Sequence, residues 1–191
     1  PANQHYSASL AKMGLVKEVI ATEDICDSAG NKLWAKGKAI DARLWEKLSD
    51  RALKQPLEAT VSAADPLDHE DVAESIQKLV ETKPHFKTLI EPKLSAILDR
   101  IKAADFNSAE LVMLSVLRYG DRDIFDHACA VAAASMCFGL HGNLAVGDID
   151  RLLHAGMLHD VGEIYLDPGL FSRRELSIAD QRELLLHPAL G

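Results

Sequence analysis

Leu152-Leu153-His154-Ala155-Gly156-Met157-Leu158-His159-Asp160-Val161-Gly162 is the stretch on which the fold turns. Leu152, Leu153 and Met157 are expected as core residues of a helix, and each contributes roughly 1.5–3 kcal/mol when fully buried. Asp148 is expected to cap this helix, which runs through His159. Its end carries an imidazole next to a carboxylate. Ending a buried helix with that pair is costly unless the two groups are paired or metal-bound. Imidazole nitrogen and carboxylate oxygen are ordinary ligands for first-row divalent metals. Asp160 has two oxygens with which to bridge two ions, and Gly162 would let the chain turn sharply after the pair.

Upstream lies Asp121-Arg122-Asp123-Ile124-Phe125-Asp126-His127, followed by an alanine-dense helix expected over 124–138. Small side chains there allow a close helix neighbour. Asp123 and His127 are one helical turn apart and could share a metal. The competing reading is that Asp121, Asp123 or Asp126 caps the helix, where a carboxylate also suits the dipole. Taken alone, His127 and His187 each read better as an ordinary core or surface histidine than as a ligand. Downstream, Ser177 with Asp180 forms a capping-box pattern for a helix reaching about His187. Helical spacing alone does not bring residues 127, 159 and 187 together.

Helical periodicity extends back to Pro66. Asp68 precedes a helix over 69–82, Pro84 interrupts, Leu94 to about 104 continues, and Asn107 or Ser108 caps a helix that ends near Gly120. Before Pro66 the pattern differs. Residues 1–14 read as a polar leader. Val16–Ile20 and Lys32–Gly37 read as short strands around the turn signal Asp27-Ser28-Ala29-Gly30-Asn31. Asp41 is expected to cap a helix over 42–53, with Leu44, Trp45 and Leu48 on one face, and 56–66 reads as a linker. The expected organisation is a partly β N-terminal element, 1–60, and an all-α bundle, 61–191.

Charge supports the division. Residues 1–60 carry 9 basic and 8 acidic side chains, and 61–191 carry 12 and 21, giving the whole chain a net charge of -8. That balance excludes a broad DNA, RNA or anionic-membrane surface. It allows a small anionic substrate where a bound metal reverses the local charge. Cys26, Cys129 and Cys137 form no disulfide framework and fit a reducing compartment. No uninterrupted apolar run of about 18 residues and no signal-peptide core occur. The expectation is a cytoplasmic protein without membrane insertion. With Pro1 in place of an initiator Met, the expectation is either a trimmed N-terminus or an excised piece of a longer chain.

The remaining conspicuous residues have plain readings. Trp34 and Trp45 suit core packing, and His154 points away from the face of His159. Asp167 orders a turn before Pro168. Arg173-Arg174 reads as a solvated pair, and Cys129 and Cys137 as buried thiols rather than nucleophiles.

From Asp121 to Gly191 the sequence resembles the HD superfamily of metal-dependent phosphohydrolases, specifically the HD-GYP branch. The resemblance rests on the order of His127, the small-residue helix, Leu152–Gly162 with its His-Asp doublet, Ile164, Asp167-Pro168, Leu176-Ser177 and His187-Pro188 with Gly191. Asp24-Ile25, Asp27, Gly30, Lys36-Gly37 and Leu48 resemble the leader that often precedes such domains. The resemblance implies an all-α HD-type helical bundle with His127, His159, Asp160 and His187 as metal ligands. Asp123 stands where three-metal members carry an acidic ligand, although many relatives have a tyrosine there. It implies two or three divalent ions, iron or manganese. It also implies a cyclic dinucleotide substrate, cyclic di-GMP, hydrolysed by a water that Asp160 orients.

Two departures bear on that transfer. Relatives carry Lys after His-Asp-x-Gly as a phosphate contact, and here the residue is Glu163, which exchanges an attraction for a repulsion. Glu163 would instead pair with an Arg or touch a metal. The chain also stops before the paired histidines, the Gly-Tyr-Pro signature and the closing aspartate, so the bundle is expected to be incomplete at its C-terminus. The intact protein is expected to be the enzyme, and the 191-residue chain by itself inactive. The alternative is a non-catalytic sensory or scaffold module that binds a nucleotide or a regulatory protein partner, with 1–60 as a docking or homodimerisation element. Packing of the three site helices is expected to leave His127 facing His159 and Asp160. Nitrogen–oxygen separations of about 3–5 Å would fit a shared metal, whose own bonds are about 2.0–2.2 Å long.

Overall fold

The computed structural model describes residues 3–41, 44, 48, 51–63 and 65–190. Most of the helix expected over 42–53, Trp45 included, lies outside the described residues; Leu44 and Leu48 are helical and buried. The fold is mostly α, with a small antiparallel β element near the N-terminus.

Residues 3–14 are not a polar leader. They form helix α1 (Gln4–Met13), whose Tyr6, Leu10 and Met13 are buried. The Asn3 side chain caps it by accepting from the N–H groups of His5 and Tyr6. Their spacing of four and three residues is a helical stripe with few apolar positions, which made it easy to miss.

Strand β1 (Val19–Ala21) pairs antiparallel with β4 (Val61–Ala63), with Ile20 opposite Ser62. Strand β2 (Ile25–Cys26) pairs with β3 (Lys32–Trp34) around the Asp27–Asn31 turn, where Gly30 adopts φ 86°. Such a positive φ suits glycine, which has no Cβ to clash. The stretch expected as a linker therefore contains a strand, and its residues Leu57, Val61 and Ala63 are buried. The expected boundary at residue 60 falls immediately before β4.

The helical region follows the predicted order closely. Helix α2 (His69–Thr82) starts with an Asp68–Asp71 capping box. Pro84 opens α3 (Pro84–Ile90), which leads to α4 (Leu94–Lys102). Helix α5 (Ser108–Gly120) is boxed by Asn107 and Glu110. Helix α6 (Arg122–His141) is capped by Asp121, so it is longer than the expected 124–138. Helix α7 (Val146–Leu158) begins after Ala145; Asp148 lies inside its first turn and pairs with Arg151 instead of capping. Two 3-10 turns follow, Val161–Tyr165 and Pro168–Ser172. Gly162 sits within the first of these, so the chain bends there without a left-handed residue.

Helices α6 and α7 pack closely because Gly156 rides over Ala132. A Cβ on Gly156 would fall 2.4 Å from the Ala132 Cα. By length and composition α6 is apolar enough to cross a membrane. Its Phe125, Cys129, Ala132, Ala133 and Met136 are buried in the core, as in any central core helix.

Helix α8 (Ile178–Leu184) carries the predicted Ser177–Asp180 capping box, but it stops short of His187. Pro188 explains the break. It has no N–H to offer the Leu184 carbonyl, and the His187 ring takes that carbonyl instead, Nδ1 to O 2.6 Å. His187 opens the last helix, α9 (His187–Leu190).

Candidate metal centre

Three helix ends deliver the polar cluster. His127 stands on the second turn of α6. His159 and Asp160 end α7, and His187 opens α9. The Asp160 carboxylate is the hub. Its Oδ2 lies 2.8 Å from His159 Nε2 and 3.6 Å from His127 Nε2, and its Oδ1 lies 3.5 Å from His187 Nε2. The His127 and His159 ring centroids are 5.3 Å apart. Ligand atoms of His127, His159 and Asp160 all fall within 4.8 Å of one another. The three contacts with Asp160 fall within or below the range given above for a shared metal.

Two rings are oriented by backbone. His159 Nδ1 lies 2.9 Å from the Gly156 carbonyl, and His187 Nδ1 lies 2.6 Å from that of Leu184. A carbonyl only accepts, so each Nδ1 carries the proton and donates it. Each Nε2 thereby faces Asp160, where it takes either a metal or, in the protonated ring, a proton shared with the carboxylate. A hydrogen bond to the far ring nitrogen is the usual support of a metal-ligating histidine. Asp160 is mostly shielded, with 19% of its side chain exposed, whereas His127 is 55% exposed. The cluster is thus anchored on its inner side and open at His127. A donor set of imidazoles around a two-oxygen carboxylate fits a divalent first-row cation.

His187 and Asp123 both stand outside the set within 4.8 Å, of which His187 reaches only Asp160. Asp123 is exposed in the first turn of α6, and its N–H donates to Asp121 Oδ1. The cap is Asp121, which also accepts from Ile124 N–H. Glu163, in the turn after the doublet, is half-buried and pairs with no Arg among the described residues. Burial, and then the charge of Asp160, push its carboxyl above the ordinary range, against the pull of His187 and His159.

The other residues keep structural roles. His154 packs on Phe106, centroids 4.5 Å apart, and its Nδ1 lies 3.7 Å from Glu110. Asp167 accepts from Gly169 N–H and caps the second turn. Arg173 pairs with both Asp167 and Asp180. Trp34 is buried. Cys137 is buried, and desolvation at the buried Cys129 pushes its thiol up to about 12, far from a reactive thiolate.

Sequence reasoning missed the contribution of α1. Tyr6 stacks on Tyr165, centroids 5.0 Å apart, and Asn3 Nδ2 donates to the Tyr165 carbonyl at 2.8 Å. The turn that follows the His-Asp doublet is therefore fastened to the N-terminal helix. The sequence signal was the Asn3 cap ahead of Tyr6, Leu10 and Met13. No family model, curated protein or solved structure matches this chain.

Proposed function

We propose that His127, His159, Asp160 and His187 belong to the centre of a metal-dependent phosphodiesterase of HD type, and that the intact protein hydrolyses cyclic di-GMP. One observation supports the reading above others: three imidazole Nε2 atoms gather on both oxygens of a single carboxylate. Iron or manganese suits this nitrogen and oxygen donor set. When bound, a divalent cation supplies Lewis acidity at a phosphate oxygen and lowers the pKa of water.

The chain's own residues have distinct tasks. His159 and His187 present fixed Nε2 lone pairs because backbone carbonyls hold their Nδ1 protons. Asp160 accepts only, when ionised. Beyond its role as a ligand it accepts a hydrogen bond from an attacking water and so turns that water's lone pair toward phosphorus. The exposed side of His127 leaves room for a phosphodiester to enter. Asp123, one turn away on α6, is proposed only as an outer acidic contact.

The test is cyclic di-GMP turnover by the full-length encoded protein with manganese or iron, compared with Asp160→Asn. The variant is expected to lose more than the roughly 10–100-fold that removal of an outer-shell partner costs. Equal rates would reject the mechanism. A second reading, a nucleotide-binding regulatory module without catalysis, is favoured by Glu163, an acidic group beside a place for phosphate. Tight cyclic di-GMP binding without turnover in the full-length protein would select it.

A further inference from the structure

Beside the metal centre, α1, α5, the start of α6 and the two 3-10 turns enclose a cleft of about 160 Å³. Its walls mix polar and apolar surface, with Leu117, Ile124 and Leu166 among the apolar side chains, and Phe171 lines it, 43% exposed. Lys12 comes from α1, and two carboxylates, Asp121 and Glu163, also line it. Glu163 lines the cleft and follows Asp160 by three residues in the same 3-10 turn.

The two carboxylates differ. Asp121 Oδ1 is engaged by the N–H groups of Asp123 and Ile124. The half-buried Glu163 carboxylate has no hydrogen bond or ion pair among the described residues, and Asp160, His187, His159 and Asp121 act on it through space. A partly shielded acceptor with no protein donor exchanges its water for the donors of a ligand. Phe171 offers a face on which a flat ring can stack. The volume is well below the roughly 300–1,000 Å³ that holds a whole drug-sized ligand, so it suits one ring system rather than a dinucleotide.

We propose that this cleft seats one guanine base of the substrate, with Glu163 accepting from the ring N1–H and the exocyclic amino group and Phe171 stacking on the ring. The assignment rests on the phosphodiesterase reading of the adjoining centre. A carboxylate, which only accepts, matches the two adjacent donors of guanine. Adenine presents one donor beside a bare ring nitrogen, and that nitrogen repels the second carboxylate oxygen. The N-terminal helix thereby becomes one wall of the substrate site.

Calorimetric titration of the 191-residue chain with GMP and with AMP, in the presence of Mn²⁺, tests this. GMP is expected to bind at least about tenfold more tightly, the ratio one net hydrogen bond supplies. Glu163→Gln is expected to abolish the preference, because an amide offers one acceptor and one donor. Phe171→Ala is expected to weaken both nucleotides by roughly tenfold. Equal affinities in the unsubstituted chain, no detectable GMP binding, or a preference that survives Glu163→Gln would overturn the proposal. A parallel Mn²⁺ titration separates it from the metal reading. Mn²⁺ binding without GMP preference sinks the base seat alone, and GMP preference without Mn²⁺ binding sinks the metal centre instead.

Discussion

Pro188 shows how one residue sets a site it does not touch. By withholding an N–H it hands the Leu184 carbonyl to the His187 ring, which turns Nε2 toward Asp160. Residue types and order were legible in the sequence, including the doublet and both flanking histidines. Their convergence was not, because it depends on helix ends whose position a periodicity cannot fix. Asp27 is the equivalent hub of the β element. It accepts from the N–H groups of Ala29 and Asn31, from the Asn31 amide and from Arg51. The Asn31 bonds hold its carboxyl below the ordinary 3.8, burial opposing. The unfolded chain therefore binds more protons in that range. Asp27's contribution is complete above about 3.8 and is lost as pH falls through the lower folded value. Asp27→Asn is expected to lower Tm at pH 7, with the gap to the unsubstituted protein closing in acid. A gap unchanged from neutral pH to pH 3 would contradict this.

At the scale of elements, the contact between α6 and α7 carries His127 to His159 and Asp160. It depends on Gly156, where an added Cβ would meet Ala132 backbone atoms at 2.4 and 2.7 Å. Alanine would gain about 1 kcal/mol of helix propensity over glycine. The clash is with backbone, so the helices must separate, and overpacking of this kind costs about 1–3 kcal/mol. Gly156→Ala is expected to be destabilising on balance and to weaken metal binding with it, read by urea unfolding and a Mn²⁺ titration. The capping boxes at Asp68, Asn107 and Ser177 made three helix starts legible. The start of α7 was not, since Ala145 makes no side-chain cap. Strand β4 was hidden among Pro56 and Pro66, because three residues give too short an alternation to read.

Across the molecule, one cluster of buried apolar side chains runs from Tyr6 to Ile164. The contrast in charge between residues 1–60 and the rest is real in the sequence, but charge reports surfaces and says little about where a core stops. Leu10→Ala in α1, at a fully buried position, is expected to cost about 2–5 kcal/mol. Helical circular dichroism and tryptophan fluorescence should shift together in urea, since both tryptophans, Trp34 and Trp45, lie in residues 1–60. A shift in one signal alone would mean that the two regions unfold separately.

The central claim is that three helix ends build a cation site around Asp160. Electron paramagnetic resonance of free Mn²⁺, during titration into the 191-residue chain, tests it most directly. Binding of at least one Mn²⁺ per chain, abolished by Asp160→Asn and by His159→Ala, is the predicted result. No Mn²⁺ bound by the unsubstituted chain, or equal binding by Asp160→Asn, would contradict it.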